Sequence, residues 1–107
     1  MTNVLNIKQH DTAKPLTITC TDNGAPVNLT PALEIRVIGV KESGKAVVFN
    51  RVVTGNAQGV VTMPWQPADT AEPGMLLLEV SVKWNATETQ TFPGTGYLRV
   101  YVERDLA

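Results

Sequence analysis

The sequence predicts an all-β domain, and three observations carry that expectation. Val, Ile and Thr supply 31 of the 107 residues. These β-branched side chains lose rotamer freedom in a helix and fit a pleated surface. Eight Gly and seven Pro are spread along the chain, where they would interrupt helices. Between these breaks no window sustains an apolar i, i+3, i+4, i+7 stripe, whereas apolar and polar residues alternate over several stretches.

The alternation places the strands in order. Leu16, Ile18 and Cys20 alternate with Thr17, Thr19 and Thr21, one face buried and one wet. Asp22-Asn23-Gly24-Ala25-Pro26 is a turn, because Asn and Gly tolerate positive φ. Leu33, Ile35 and Val37 then alternate with Glu34 and Arg36. Glu42-Ser43-Gly44-Lys45 closes a hairpin into Val47-Val48-Phe49, and a turn at Gly55-Asn56-Ala57-Gln58-Gly59 leads into Val60-Val61-Thr62-Met63. Leu76, Leu78, Val80, Val82 and Trp84 form the longest regular alternation. In the last strand Leu98, Val100 and Val102 share one face; Tyr97, Arg99, Tyr101 and Glu103 share the other.

This predicts about seven strands, each with one apolar face. Two sheets can bury such faces together, so an antiparallel β-sandwich is the economical arrangement. A Greek-key sandwich of immunoglobulin type holds about 100 residues and seven strands. A small closed barrel is the alternative. No repeat, linker or low-complexity tract divides the chain, so residues 1–107 are expected to form a single domain.

Composition narrows the function classes. Nine Lys and Arg against ten Asp and Glu leave a net charge of -1. That balance provides no field for nucleic acid or anionic lipid. No run of about 18 apolar residues suggests a membrane span. The N-terminus, Met-Thr-Asn-Val-Leu-Asn-Ile-Lys, lacks the basic and apolar regions of a secretory signal. One Cys cannot form an internal disulfide, and one His cannot build a His-rich metal site. No cofactor is expected.

Several spacings go beyond generic β character. Asp11-Thr12 precedes Pro15-Leu16-Thr17-Ile18, and Asp22-Asn23-Gly24-Ala25-Pro26-Val27-Asn28-Leu29-Thr30 follows. Then come Trp65-Gln66-Pro67-Ala68-Asp69-Thr70-Ala71-Glu72-Pro73-Gly74 and a long alternating strand. The end reads Thr91-Phe92-Pro93-Gly94-Thr95-Gly96-Tyr97, a short strand, and Asp105-Leu106. This order, over residues 11–106, resembles the immunoglobulin-like domain at the N-terminus of upper baseplate proteins of tailed bacteriophages, and related small phage structural proteins. The resemblance implies a non-catalytic building block of the virion, made in the host cytoplasm. It implies partners among other virion proteins, with several copies in a symmetric baseplate, tail or capsid-surface assembly. The turns also have local reasons. Asp69-Thr70 before Pro73-Gly74 fits the corner where the chain crosses between sheets. Leu76 offers no hydroxyl to tie that corner, so backbone or Asp69 bonds must hold it. Phe92 to Tyr97 reads as a bend that re-aims the last strand.

The candidate sites each carry a plainer reading. Cys20 is in register with Leu16 and Ile18, which makes it a core thiol; a Cys20–His10 dyad is the only nucleophilic arrangement available, and it lacks an orienting third group. His10-Asp11 could contribute to a metal site or simply lead into a strand. Asp69 and Glu72 could hold Ca²⁺, although no EF-hand-like ligand run is present. Asn28-Leu29-Thr30 and Asn85-Ala86-Thr87 match the glycosylation sequon. Trp84 continues a core face. Trp65, beside two prolines and Met63, could plug one end of the sandwich; it is also the candidate ligand platform of a second reading, a carbohydrate-binding module that adheres to a host-surface glycan. Tyr97, Arg99 and Tyr101 form an outward stripe of the residue types enriched where proteins meet proteins, and are the expected interface.

Overall fold

The computed structural model describes residues 4–94 and 96–106. Its elements, in chain order, are β1 (Val4–Lys8), β2 (Leu16–Thr19), β3 (Thr21–Asp22), β4 (Ala25–Pro26), β5 (Glu34–Lys41), β6 (Val47–Gly55), β7 (Val60–Met63), a 3₁₀ turn (Pro67–Thr70), β8 (Gly74–Lys83), β9 (Thr89–Phe92) and β10 (Leu98–Glu103). The chain is all-β, with no α-helix among the described residues. The strands form one curled sheet in the order β1-β10-β8-β5-β6-β7-β2; β9 pairs with the end of β8 that β10 leaves free, and β3-β4 is a separate small hairpin.

Period-two burial builds this arrangement. β5 reads half-buried and buried in strict alternation, and Leu76, Leu78, Val80 and Val82 of β8 point the same way as Val100 and Val102 of β10. The inner face meets Leu16, Ile18, Val61 and Met63 from β2 and β7 across the core. Strand β6 joins the two sides: its first part pairs with β5, and Thr54 and Gly55 pair with Thr62 and Val61 of β7. Phe49 lies over Gly39 on the neighbouring strand, where a Cβ would stand 2.5 Å from the ring. Asn23 and Gly24 both take positive φ (53° and 79°), which the β3–β4 turn requires and which Asn and Gly accept at least cost.

Three sequence expectations need correction. The sheet is mixed, not wholly antiparallel, because β1 runs parallel to β10 with Leu5 level with Val100 and Ile7 level with Val102. A parallel pair cannot be closed by a hairpin; here the whole intervening chain is the connection, so no local turn signals it. Leu33 is not a core residue. It lies one position before β5 and is 65% exposed, while its N–H donates to the Lys83 carbonyl. The short strands β1 and β9 extend the set that alternation found. In the bend, the Phe92–Pro93 bond is cis; Thr95 lies outside the described residues.

The corner before β8 draws on both kinds of bond the sequence allowed, a backbone bond from the Asp69 N–H to the Gln66 carbonyl at 2.9 Å and the side chain of Asp69. Its side chain is 3% exposed and accepts from Arg51 twice, Nη1 to Oδ2 at 2.7 Å and Nη2 to Oδ1 at 2.9 Å. Oδ2 also accepts the Gln66 N–H at 2.8 Å. Arg51 points inward from β6 with its guanidinium carbon 5.5 Å from the centre of the Phe49 ring, and Phe49 meets Trp65 edge to face at 5.9 Å. The hydrogen bond to Asp69 raises the Arg51 pKa above its ordinary value, against the opposing effect of burial. One cation thus ties the β5–β6 part of the curled sheet to the corner of the chain.

Candidate functional site

The most distinctive surface is the outward face of β1-β10-β8-β5-β6. Strand register builds it in rows. One row runs Val4, Arg99, Leu77, Val40, Val47 across all five strands. The row beside it carries Glu79, Ile38 and Asn50, and beyond that lie Ser81, Arg36 and Val52. On the other side Asn6, Tyr101 and Met75 are level. Leu77 shows why this face is unusual. It is buried at 5% exposure, yet it stands outside the core cluster, because its neighbours in the row cover it from the solvent side. Towards the edges cover runs out: Val47 is 66% exposed and Val52 is 56% exposed.

Of the Tyr97, Arg99 and Tyr101 stripe, Arg99 and Tyr101 lie on this face, and Tyr97 stands one residue before β10. Tyr97 and Tyr101 are exposed, at 47% and 40%, and Arg99 between them is half-buried with Nε 3.8 Å from Glu42 Oε2. Sequence reasoning located this stripe but missed its apolar continuation through Leu77, Val40 and Val47. The signal was available in Met75-Leu76-Leu77-Leu78, a continuous apolar run where a one-sided strand should alternate. Charges frame the face in opposite pairs: Lys8 with Glu103 at 2.9 Å and Arg36 with Glu34 at 2.8 Å.

The other candidates fall elsewhere. Trp65 is 5% exposed and packed against Phe49, which corrects its assignment as a ligand platform: no ring face is free for a sugar to stack on. Its position between prolines directs the indole into one end of the core. Trp84 is half-buried and donates its Nε1–H to Gln90 Oε1 at 3.1 Å. Cys20 is 1% exposed, and burial pushes its thiol up to about 11, so it is protonated and unreactive at neutral pH. His10 is exposed at a positive φ of 64° beyond the end of β1, and no hydrogen bond joins it to Cys20. Asp69 is committed to Arg51 and Glu72 pairs with Lys41, so each carboxylate already has a cation partner. Among the described residues no group of three or more His, Cys, Asp or Glu could hold a metal ion. The two sequon asparagines close local turns. Asn28 Oδ1 accepts the N–H and hydroxyl of Thr30, and Asn85 Oδ1 accepts those of Thr87 and the N–H of Glu88. No helix among the described residues is long and apolar enough to cross a membrane.

No protein-family model matches the chain, and no curated protein matches it.

Proposed function

We propose that this chain is a non-enzymatic structural domain of a tailed-phage virion, an immunoglobulin-like sandwich that acts by presenting its outward sheet face to protein neighbours. The observation that carries the contact reading is the Tyr97–Arg99–Tyr101 stripe, whose Arg99 and Tyr101 lie against an apolar row on the same face. Such a surface offers aromatic area and bidentate hydrogen bonding at low entropic cost, which is what protein interfaces select. The immunoglobulin-like reading draws on the strand order. Strands β10, β8 and β5 are neighbours, as strands G, F and C are in that fold, and this adjacency supports the reading. The virion assignment draws on the ordered turn motifs from Asp11 to Leu106. The sites for chemistry give no competing reading: the thiol is buried, and Asp69 is held in a structural pair.

The test is incorporation. Particles made without this chain are supplied with wild-type protein or with a variant carrying Tyr97→Ser, Arg99→Ser and Tyr101→Ser. The wild-type chain is expected in purified particles, and the folded variant is expected to be depleted. Absence of the wild-type chain from particles would refute the virion role. Equal incorporation of the variant would refute the stripe.

A further inference from the structure

We infer that the seam between β2 and β1 takes up one extended segment of another protein, which pairs antiparallel with the free edge of β2 and completes the curled sheet. The inference goes beyond the outward-face reading and does not rest on it.

The sheet order ends in β1 on one side and β2 on the other, so each has one edge that no described strand pairs. The curl brings these two ends together: Val4 and Leu5 line a groove of about 330 Å³ with Thr17 and Thr19. The backbone fixes what this groove accepts. The Cys20 N–H donates to the carbonyl of Gly59 opposite it, at 2.8 Å. Bonded pairs of this kind alternate along an antiparallel ladder. Leu16 and Ile18 therefore turn their amide groups to β7, and Thr17 and Thr19 turn theirs to the seam. On the facing wall the Gln9 N–H donates to Glu103, so by the same alternation Asn6 turns its amide groups to the seam. Native edges are blunted by charge, proline or a bulge. Leu16-Thr17-Ile18-Thr19 has no charge and no proline, and its register with β7 is unbroken. The floor is apolar. Leu5 is level with Val100 and shares its inward face, yet Leu5 is 46% exposed and Val100 2%, because no described strand covers Leu5 across the seam. A guest strand seated here sets every second side chain against Leu5, Ile18 and Val100 and its backbone against Thr17 and Thr19, the mode in which a sheet edge recruits a peptide. The seam has two walls, so it admits a lone strand; the edge of a second sheet would bring its next strand against β1. Charge sets the direction. Among the described residues Asp22 is the one charged group lining the Thr19 end, with no cation beside it. Lys8, Asp11 and Lys14 line the Leu16 end, where Lys8 pairs with Glu103. An antiparallel guest begins beside Asp22 and ends beside Lys14, so its complement is a base first and an acid last. So short a contact lies at the weak, transient end of protein interfaces.

The test titrates the isotope-labelled full chain with the heptapeptide Lys-Val-Thr-Val-Thr-Val-Glu and reads amide hydrogen exchange by nuclear magnetic resonance. With peptide at about ten times its Kd, exchange at Thr17 and Thr19 is expected to slow about tenfold, since only the free fraction exchanges. The charge-swapped peptide Glu-Val-Thr-Val-Thr-Val-Lys is expected to bind more weakly. Thr17→Pro removes an N–H that β7 does not use, so circular dichroism should show it folded, and its affinity for the first peptide is expected to fall at least about tenfold. The exchange reading on the wild-type chain decides even where that variant does not fold. Val52→Ser, on the outward face, should bind like wild type. Unchanged exchange at Thr17 and Thr19 with millimolar peptide overturns the inference. So does full binding to folded Thr17→Pro, equal loss in Val52→Ser, or equal binding of the charge-swapped peptide. Slowing that tracks protein concentration without peptide assigns the edge to a second copy and overturns it too.

Discussion

Removing the Asp69 carboxylate should unfold this domain more readily than any surface change. Asp69→Ala leaves Arg51 without its two carboxylate bonds and leaves the Gln66 N–H without an acceptor. Breaking a fully buried ion pair from one side costs about 3–5 kcal/mol. Arg51 keeps 22% of its side chain in solvent and can rehydrate in part, which lowers that figure to about 2–3 kcal/mol. The orphaned Gln66 N–H adds about 1 kcal/mol. The expected loss is therefore about 3–4 kcal/mol, a large share of the roughly 5–15 kcal/mol available to a domain. At 4–8 °C per kcal/mol, the melting temperature should fall by about 12–30 °C. Urea denaturation followed by circular dichroism measures the free energy. Arg51→Met keeps an apolar stem near Phe49 and removes the charge, so the double variant should lose clearly less than the sum of the two single losses. A loss under about 1 kcal/mol for Asp69→Ala, or strict additivity in the cycle, would refute the account of the corner.

Three further outcomes follow from the core. Gly39→Ala places a methyl 2.5 Å from the Phe49 ring, and should cost about 1–3 kcal/mol while altering the near-ultraviolet dichroism of Trp65; an unchanged spectrum and stability would be the contrary result. The Cys20 thiol has a folded pKa of about 11 against 9.0 when free, so the unfolded chain loses its proton first. Stability from this group is intact below about pH 9 and falls as pH rises from 9 to 11, by at most about 2–3 kcal/mol; Cys20→Ala should flatten that part of the urea-midpoint profile, and an unchanged slope would count against it. Trp84→Phe leaves Trp65 as the sole emitter, with blue-shifted fluorescence that resists iodide and ignores added glycans; red-shifted, readily quenched emission would restore the platform reading.

How much of this the sequence could show depends on the range of the interaction. Alternation is local, so it located the inward positions of β2, β5, β7, β8 and β10 from nearest neighbours alone. The outward stripe Tyr97, Arg99 and Tyr101 followed from the same parity. The inward direction of Cys20 was also readable, and the corner's bonds were narrowed to backbone or Asp69, since each depends on a few adjacent residues. What alternation lacks is the identity of the neighbouring strand. The pairing of β1 with β10 joins residues 95 apart, such as Val4 and Arg99, and no turn chemistry announces it. Arg51 was not marked as the partner of Asp69 for the same reason: it stands at an inward position among apolar residues, and only the curl of the sheet brings the corner to it.

Local context leaves Trp65 open between a plug at one end of the core and an exposed platform, and burial at 5% exposure decides for the plug. Prolines on either side imply a loop, and loops lie on the surface. Yet the segment closes one end of the core, where an edge-to-face contact with Phe49 gives a large ring more than water could. The outward row reverses this logic. Leu77 occupies a position that parity assigns to solvent, yet its neighbours bury it, so the apolar run Met75-Leu76-Leu77-Leu78 has a local cause on each side of the sheet. A strand greasy on both faces needs two layers above and below it. The chain supplies one in β2 and β7, and on the outer side Leu77 is already covered at 5% exposure, so what this face leaves to solvent is its margin at Val47 and Val52.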